Sequence, residues 1–140
     1  PGAPCVYYGD EVGMEGGPDP DARRAFQWNE GSWDEDLLTF FRRAIALRHE
    51  HPVLRHGRYV RLRVDAQPNV YAFAREGEQQ TMVVVLNNGP DPYELDVDVG
   101  DLWPHDASLR DVWADRDARV SHGRAVGAIL PSRSGAVLTA

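Results

Sequence analysis

The amino-acid sequence predicts an α+β chain in which one buried strand, a long loop and a helix precede an all-β antiparallel Greek-key sandwich. Three observations support this prediction. An apolar run occupies residues 3–8, a 3.6-residue apolar period begins after residue 35, and the period changes to two after Gly57. The change of period divides the chain into two regions, 1–56 and 57–140.

Composition and charge argue against several classes of partner. Hydrophobic residues make up 42% of the 140-residue chain and charged residues 26%, as in ordinary globular proteins. The formal net charge is −7, which argues against nucleic acid or an anionic membrane as the main partner, because either would select a basic surface. No apolar run approaches the ~20 residues of a transmembrane helix. The absence of a signal-peptide pattern favours the cytoplasm, but the compartment stays open because we expect the true N-terminus to precede Pro1.

The first element is expected to be a strand buried on both faces, over residues 3–8, because its apolar residues are continuous rather than alternating. Cys5 lies in this run and is expected to be a small buried hydrophobe, since no basic neighbour in sequence would activate its thiol. Residues 9–20 are rich in Gly, Pro and Asp, which predicts a loop. A loop of this length in a compact domain is usually functional or disordered.

A helix is predicted after this loop. Ser32 and Glu35 have the spacing of a capping box, in which the hydroxyl and the carboxylate each satisfy a backbone N–H at the helix start. Pro52 is expected to end the helix soon after His51. One wide apolar face is formed by Leu37, Leu38, Phe40, Phe41, Ala44, Ile45 and Leu47. A face this wide must be covered by another part of the protein.

From Gly57 onward the sequence predicts short strands without an intervening helix, as in an antiparallel sandwich. Val60, Leu62 and Val64 alternate with polar residues, whereas residues 82–86 are continuously apolar and predict a central strand buried on both faces. Further strands are predicted near residues 70–75, 95–99, 109–113, 126–130 and 136–139.

Several segments resemble one known family. Residues 2–14, with the motif Tyr-Tyr-Gly-Asp-Glu, closely resemble the eighth barrel strand and its exit loop in glycoside hydrolase family 13, the α-amylase family. Residues 16–20 and 23–28 are similar to the branch that contains neopullulanase, cyclomaltodextrinase and maltogenic amylase. The helix over 37–48 resembles the family's last barrel helix, and residues 130–138 resemble the final strand of its C-terminal sandwich.

The resemblance implies that residues 1–56 are the last strand, substrate loop and helix of a (β/α)8 barrel, and that residues 57–140 are the C-terminal β-sandwich domain. It implies a parent enzyme that hydrolyses or transfers α-1,4 or α-1,6 glucans with retention, through an Asp nucleophile, a Glu acid/base and a second Asp. In the family these three residues lie on earlier barrel strands. The chain is therefore expected to contain none of them and to be inactive alone.

The residues of the chain itself agree with that expectation. Glycoside hydrolysis needs two carboxylates roughly 5 to 10 Å apart, whereas adjacent Asp10 and Glu11 would point to opposite sides of an extended segment. We expect these two to accept hydrogen bonds from the chain around them. Glu94, Asp96 and Asp98 alternate along a strand, where a calcium site is conceivable but a solvated polar face is the expectation. The histidines and the lone cysteine form no ligand pattern, so no cofactor, metal site or catalytic residue is predicted.

By their position in the motif, Asp19 and Arg23 resemble the pair that contacts sugar hydroxyls on the non-reducing side of the cleavage point. A charged pair held together can accept from and donate to hydroxyls, and the alternative is a salt bridge that only braces the loop. The implied partners are an α-glucan or maltooligosaccharide in the parent, and either the missing barrel segment or a second copy of the chain to cover residues 1–50. The alternative function is a non-catalytic β-sandwich module that binds carbohydrate or a protein.

Overall fold

The structure is a computed structural model that describes residues 2–140. Its contacts divide the chain into two compact units, the first ending at Arg55 and the second comprising His56–Ala140. Among the residues described, the 3-10 helices and the long α-helix belong to the first unit, and the eight strands belong to the second.

The described part of the first unit consists of an irregular N-terminal segment, three short 3-10 helices, an α-helix and one further helical turn. These elements are the 3-10 helices Asp10–Val12, Asp21–Arg23 and Glu30–Ser32, the helix α1 (Glu35–Glu50) and a single helical turn α2 (Val53–His56). The predicted helix is thus confirmed, and it ends before Pro52, whose ring cannot continue it.

The start of α1 differs from the predicted capping box. Asp34 is the N-cap, and its Oδ1 accepts a hydrogen bond from the Leu37 N–H at 2.9 Å. Ser32 cannot take that role because it closes the preceding 3-10 helix, where its Oγ donates to the Asn29 carbonyl at 2.7 Å. The Asp34 N–H in turn donates to the Val12 carbonyl at 3.2 Å, which ties the helix start to the first 3-10 helix. An aspartate serves at this position as well as a serine.

Residues 3–7 form neither a helix nor a strand, which corrects the prediction of a buried strand there. An apolar run specifies a surface that needs covering, but a strand also needs a neighbour for its backbone hydrogen bonds. No strand of the described residues pairs with this segment. Cys5 is exposed rather than buried for the same reason.

The apolar face of α1 is largely open within the described chain. Leu38 is its only buried residue there, whereas Phe40 is 52% and Ile45 is 45% exposed. The helix is amphipathic by sequence, so this face is available to a surface outside residues 2–140. None of the helices described is both long and apolar enough to span a lipid bilayer.

The second unit is one antiparallel sheet. Its strands are β1 (Arg58–Asp65), β2 (Val70–Glu76), β3 (Thr81–Asn87), β4 (Tyr93–Asp98), β5 (Ser108–Asp111), β6 (Arg116–Ser121), β7 (Arg124–Leu130) and β8 (Ser134–Thr139). Their order in the sheet is β1-β2-β3-β8-β5-β6-β7-β4. Because β4 lies beside β7 rather than β5, these four strands have Greek-key order.

The sheet curls around a single core to form a sandwich-like, nearly closed domain. Inward-facing residues of β2, β3 and β8 pack with those of β4, β6 and β7 in one buried cluster. Val83, Val85, Val97, Val120 and Leu130 are completely buried in it. Alternation of apolar and polar residues along β4 produces this burial directly, since successive side chains point to opposite faces.

Bulges change the side-chain pattern in two strands. In β1, Arg61 pairs with Phe73 but Arg63 pairs with Ala72, so Leu62 is an extra residue. The extra residue shifts the alternation, and Val64, predicted to share the face of Val60 and Leu62, is instead 62% exposed. In β7 the bulge falls at Gly127, whose φ of +94° suits glycine.

Two further strand predictions needed correction. β3 lies inside the sheet as expected, but within the predicted apolar run 82–86 only Met82, Val83 and Val85 are buried, and Leu86 is 43% exposed. A continuous apolar run therefore overstated the burial. The sequence also failed to predict β6, in which the buried Ala118 and Val120 stand among arginine, aspartate and serine.

Arg63 connects the two edges of the sheet. Its Nη1 donates to the Tyr93 hydroxyl at 2.9 Å and to the Asp96 carbonyl at 2.5 Å, both on β4. Its Nε donates to Asp65 on its own strand at 2.5 Å. Since β1 and β4 are the outermost strands, this one side chain bridges the gap that backbone pairing leaves.

A buried carboxylate fixes the junction between β5, β6 and β8. Asp111 is fully buried, and its Oδ1 accepts from the Val137 N–H at 2.9 Å and the Trp113 N–H at 3.1 Å. Its Oδ2 accepts from Nε and Nη2 of Arg116 at 3.0 and 2.8 Å. Both oxygens are therefore satisfied, which a buried charge requires.

Candidate functional site

The predicted substrate residues lie together in the long loop of the first unit. Arg23 Nη2 is 2.8 Å from Asp19 Oδ1, and the two side chains are 71% and 70% exposed. Arg23 stands on the 3-10 helix Asp21–Arg23, which turns the chain back so that residues four apart can meet. The pair thus presents a guanidinium and a carboxylate to the outside of the unit.

A second ion pair, which the sequence pattern did not predict, lies directly beside the first. Arg24 Nε donates to Asp21 Oδ1 at 2.7 Å, and its Nη2 donates to the other carboxylate oxygen. This bidentate contact, assisted by a hydrogen bond from the Gly17 backbone, lowers the pKa of Asp21 below its usual range. The spacing of three residues across a turn is the signal that could have indicated it.

The start of the loop is held by its own backbone and by Asp10. The Tyr7 N–H donates to Asp10 Oδ2 at 3.1 Å, so Asp10 accepts a backbone hydrogen bond as expected. The Met14 N–H donates to the Gly9 carbonyl at 3.1 Å and closes the turn around the first 3-10 helix. The Tyr8 hydroxyl also donates to the Arg24 carbonyl, which joins the start of the loop to its charged part.

Aromatic side chains and a small cleft accompany the loop. Phe26 packs against Trp28 and Trp33, with ring centroids 4.7 and 6.1 Å apart. Trp28 is 82% exposed, whereas Trp33 is half-buried and its Nε1 donates to the Gln27 carbonyl at 2.7 Å. A cleft of about 250 Å³ is lined by Val12, Gly13, Met14, Glu15, Arg24, Gln27, Ser32 and Trp33. Its lining is mixed, with an indole, a guanidinium, a carboxylate and an amide.

The carboxylates of β4 form an exposed polar face. Glu94, Asp96 and Asp98 point away from the core, and Asp96 is paired with Arg124 on β7. That hydrogen bond lowers the pKa of Asp96. Among residues 2–140, no three His, Cys, Asp or Glu side chains are grouped so that they could hold a metal ion.

Solved structures with this architecture define the class of the chain. The structure of Ttha1563 from Thermus thermophilus superposes with a TM-score of 0.87 at 35% identity, covering 99% of this chain and 28% of that one. The α-amylase from Geobacillus thermoleovorans superposes with a TM-score of 0.80 at 25% identity, covering 94% of this chain and 28% of that one. The chain therefore has the architecture of the C-terminal part of amylase-family glycoside hydrolases.

The sequence comparisons identify the particular family. Residues 59–139 match the family described as "Neopullulanase-like, C-terminal domain", and the chain belongs to this family. A cyclomaltodextrinase of Bacillus sp. is 44% identical over 87 residues, covering 62% of this chain and 16% of the relative. An amylopullulanase of Thermoanaerobacter thermohydrosulfuricus is 36% identical over an alignment that covers the whole chain and 10% of the relative. The chain thus spans less than a fifth of the length of these curated relatives, and a catalytic domain is not contained in it.

Proposed function

We propose that the chain is the C-terminal portion of a retaining α-glucan-processing glycoside hydrolase. Residues 1–56 are assigned to the end of the catalytic (β/α)8 barrel and residues 57–140 to the C-terminal sandwich. The family match supports this proposal, together with the small share of each glycosidase relative that the chain covers. The catalytic carboxylates belong to the rest of the parent enzyme, and the chain alone is inactive.

Within that enzyme, Asp19 and Arg23 bind a sugar unit of the α-glucan. The observation that carries this assignment is their contact at 2.8 Å with about 70% of each side chain exposed. An exposed single ion pair contributes little to stability, so we assign its role to the carboxylate and guanidinium groups that it exposes to a ligand. A carboxylate accepts from hydroxyls and a guanidinium donates to them, and one sugar offers hydroxyls that do both.

The remainder of the barrel covers the open apolar surface of the first unit. Val6, Tyr7, Phe40 and Ile45 are 43–66% exposed. Large apolar side chains gathered on one short segment and one helix face are typical of an interface. Barrel strands and helices upstream in the parent would supply both the strand partner and the helix cover that this unit lacks.

The test uses a hybrid enzyme in which this chain replaces the matching end of a cyclomaltodextrinase of solved structure, which superposes on 98% of the chain with a TM-score of 0.79. The hybrid should turn over cyclomaltodextrin, and the 140-residue chain alone should not. Asp19→Asn and Arg23→Gln should each raise KM with little change in kcat. A lost hydrogen bond to a charged group costs about 1.5–3 kcal/mol, which corresponds to roughly a 10- to 100-fold rise.

A charge-exchanged double variant separates sugar binding from loop bracing. Asp19→Arg combined with Arg23→Asp retains an ion pair but exchanges the donor and acceptor positions that the sugar meets. The substrate-binding assignment predicts that the high KM persists in this variant. Recovery of the original KM would show that the pair serves only to hold the loop.

A further inference from the structure

The two ion pairs of the loop differ in how firmly they are held. Asp19 and Arg23 meet through a single nitrogen and are about 70% exposed. Asp21 and Arg24 meet through two parallel hydrogen bonds and are 46–47% exposed. Fork-to-fork contacts of this kind fix orientation as well as distance. The second pair is therefore the more rigid part of the loop.

Asp21 also lies close to Gly17. After the larger effect of the hydrogen bonds from Arg24, the Gly17 backbone also lowers the pKa of Asp21. A Cβ placed on Gly17 would lie 2.6 Å from Asp21 Oδ2, so a side chain there would displace the Asp21 carboxylate. The Asp21 carboxylate thus lies close to Gly17, before the 3-10 helix Asp21–Arg23, and is bound by Arg24, directly after it.

Arg24 extends these contacts to a third segment. Its carbonyl accepts a hydrogen bond from the Tyr8 hydroxyl, sixteen residues earlier. The hydrogen bonds to Asp21 raise the pKa of Arg24, and the negative charge of Glu15 adds a smaller contribution in the same direction. Gly17, Asp21, Arg24 and Tyr8 therefore form one connected chain of contacts, which we call the brace.

We propose that the brace positions Arg23 beside Asp19 and thereby sets the affinity of the loop for an α-glucan, an inference that rests on the proposed function. An exposed i,i+4 pair must give up side-chain freedom to stay in one geometry, and its own attraction barely offsets that loss. Arg23 is adjacent to Arg24 and ends the 3-10 helix that Asp21 begins. Fixing both ends of this helix restricts Arg23 before the sugar arrives, and preorganisation of this kind lowers the cost of binding.

The functional experiment uses the cyclomaltodextrinase hybrid and three changes in the brace: Asp21→Asn, Gly17→Ala and Tyr8→Phe. Each should raise KM about 3- to 10-fold and leave kcat within about twofold, because the brace touches no reacting group. Glu30→Gln is the matched control: it converts an exposed carboxylate of the same region into an amide and should leave both constants unchanged. Asp21→Asn should add nothing in the Asp19→Asn background, since the brace acts only through that pair.

The structural experiment uses the cyclomaltodextrinase hybrid without sugar, so that the brace can be judged separately from sugar binding. Crystal structures of the Asp21→Asn and Gly17→Ala variants should show Arg23 separated from Asp19, whereas the Glu30→Gln variant keeps their 2.8 Å contact. An unchanged contact in the Asp21→Asn structure, or an additive KM effect in the double variant, overturns the positioning role. If the contact separates but Asp19→Asn itself leaves KM unchanged, the brace stands and the proposed sugar-binding role fails.

Discussion

Replacement of Asp111 is expected to be among the most costly single changes in the sandwich. Asp111→Ala removes a fully buried carboxylate that accepts two backbone N–H groups and two nitrogens of Arg116. Breaking a buried ion pair by removing one partner costs about 3–5 kcal/mol. A domain of this size is stable by about 5–15 kcal/mol, so the variant should lose a large part of the free energy of unfolding.

Asp111→Asn separates the contributions of the two carboxylate oxygens to this loss of stability. The amide oxygen can keep the bonds to Val137 and Trp113, but the amide nitrogen then faces the donor-only guanidinium of Arg116. We expect this variant to lose about 2–3 kcal/mol, since hydrogen bonds to charged groups contribute about 1.5–3 kcal/mol. The difference between the two variants measures what the backbone contacts contribute.

Urea denaturation followed by circular dichroism provides the measurement, with the midpoint and the slope analysed separately. Asp117→Asn is the control, because this carboxylate belongs to the same hairpin and is also paired with an arginine but is 86% exposed. An exposed pair contributes about 0–1 kcal/mol. Equal midpoint shifts for the Asp111 and Asp117 variants would refute the role given to the buried carboxylate.

Two other changes test how the sandwich is closed. In the same denaturation assay, Arg63→Met should lower the free energy of unfolding by about 1–3 kcal/mol, because it removes the hydrogen bonds to Tyr93 and Asp96 that join β1 to β4. The control Arg61→Met, on the exposed face, should lower it by less than about 0.5 kcal/mol. Burial raises the pKa of Tyr93, so the folded state favours the neutral phenol. The stability that this adds is present below the unfolded pKa of ~10 and is lost as the pH rises through the folded pKa. Unfolding midpoints measured from about pH 8 to 11 should therefore fall less steeply in Tyr93→Phe than in the unchanged chain, and parallel curves would contradict this assignment.

The sequence pattern predicted an element correctly where the burial that the pattern implies agrees with the local geometry of the chain. Along β4 the period of two matches the observed alternation, and in α1 the helical period and Pro52 agree with the observed limits. The pattern was wrong at Val64 because an extra residue at Leu62 shifts the pairing, and neither glycine nor proline marks that bulge. Register depends on contacts with another strand, so a single segment does not encode it.

The same limit applies to the candidate site. Asp19 and Arg23 were identified through the resemblance of their motif, and the structure brings them into contact, while their binding of sugar stays a proposal. The pairing of Asp21 with Arg24 was missed because a three-residue spacing brings two side chains together only where the chain turns, and no helical turn was predicted there. A local turn conformation decided the contact, and the residue types merely permitted it.

The two units differ in how much of their stability can come from the chain itself. The second unit buries a continuous core in which many side chains have no exposed surface, whereas the described part of the first buries only Val12, Leu38 and Val53 among its large apolar residues. A unit of about 55 residues is marginal even with a good core, so the first unit needs an outside surface to fix its loop. The proposed barrel would provide that surface and hold Asp19 and Arg23 in their working positions. For this reason kinetic tests of the loop belong in a complete enzyme, while tests of Asp111, Arg63 and Tyr93 report on the chain alone.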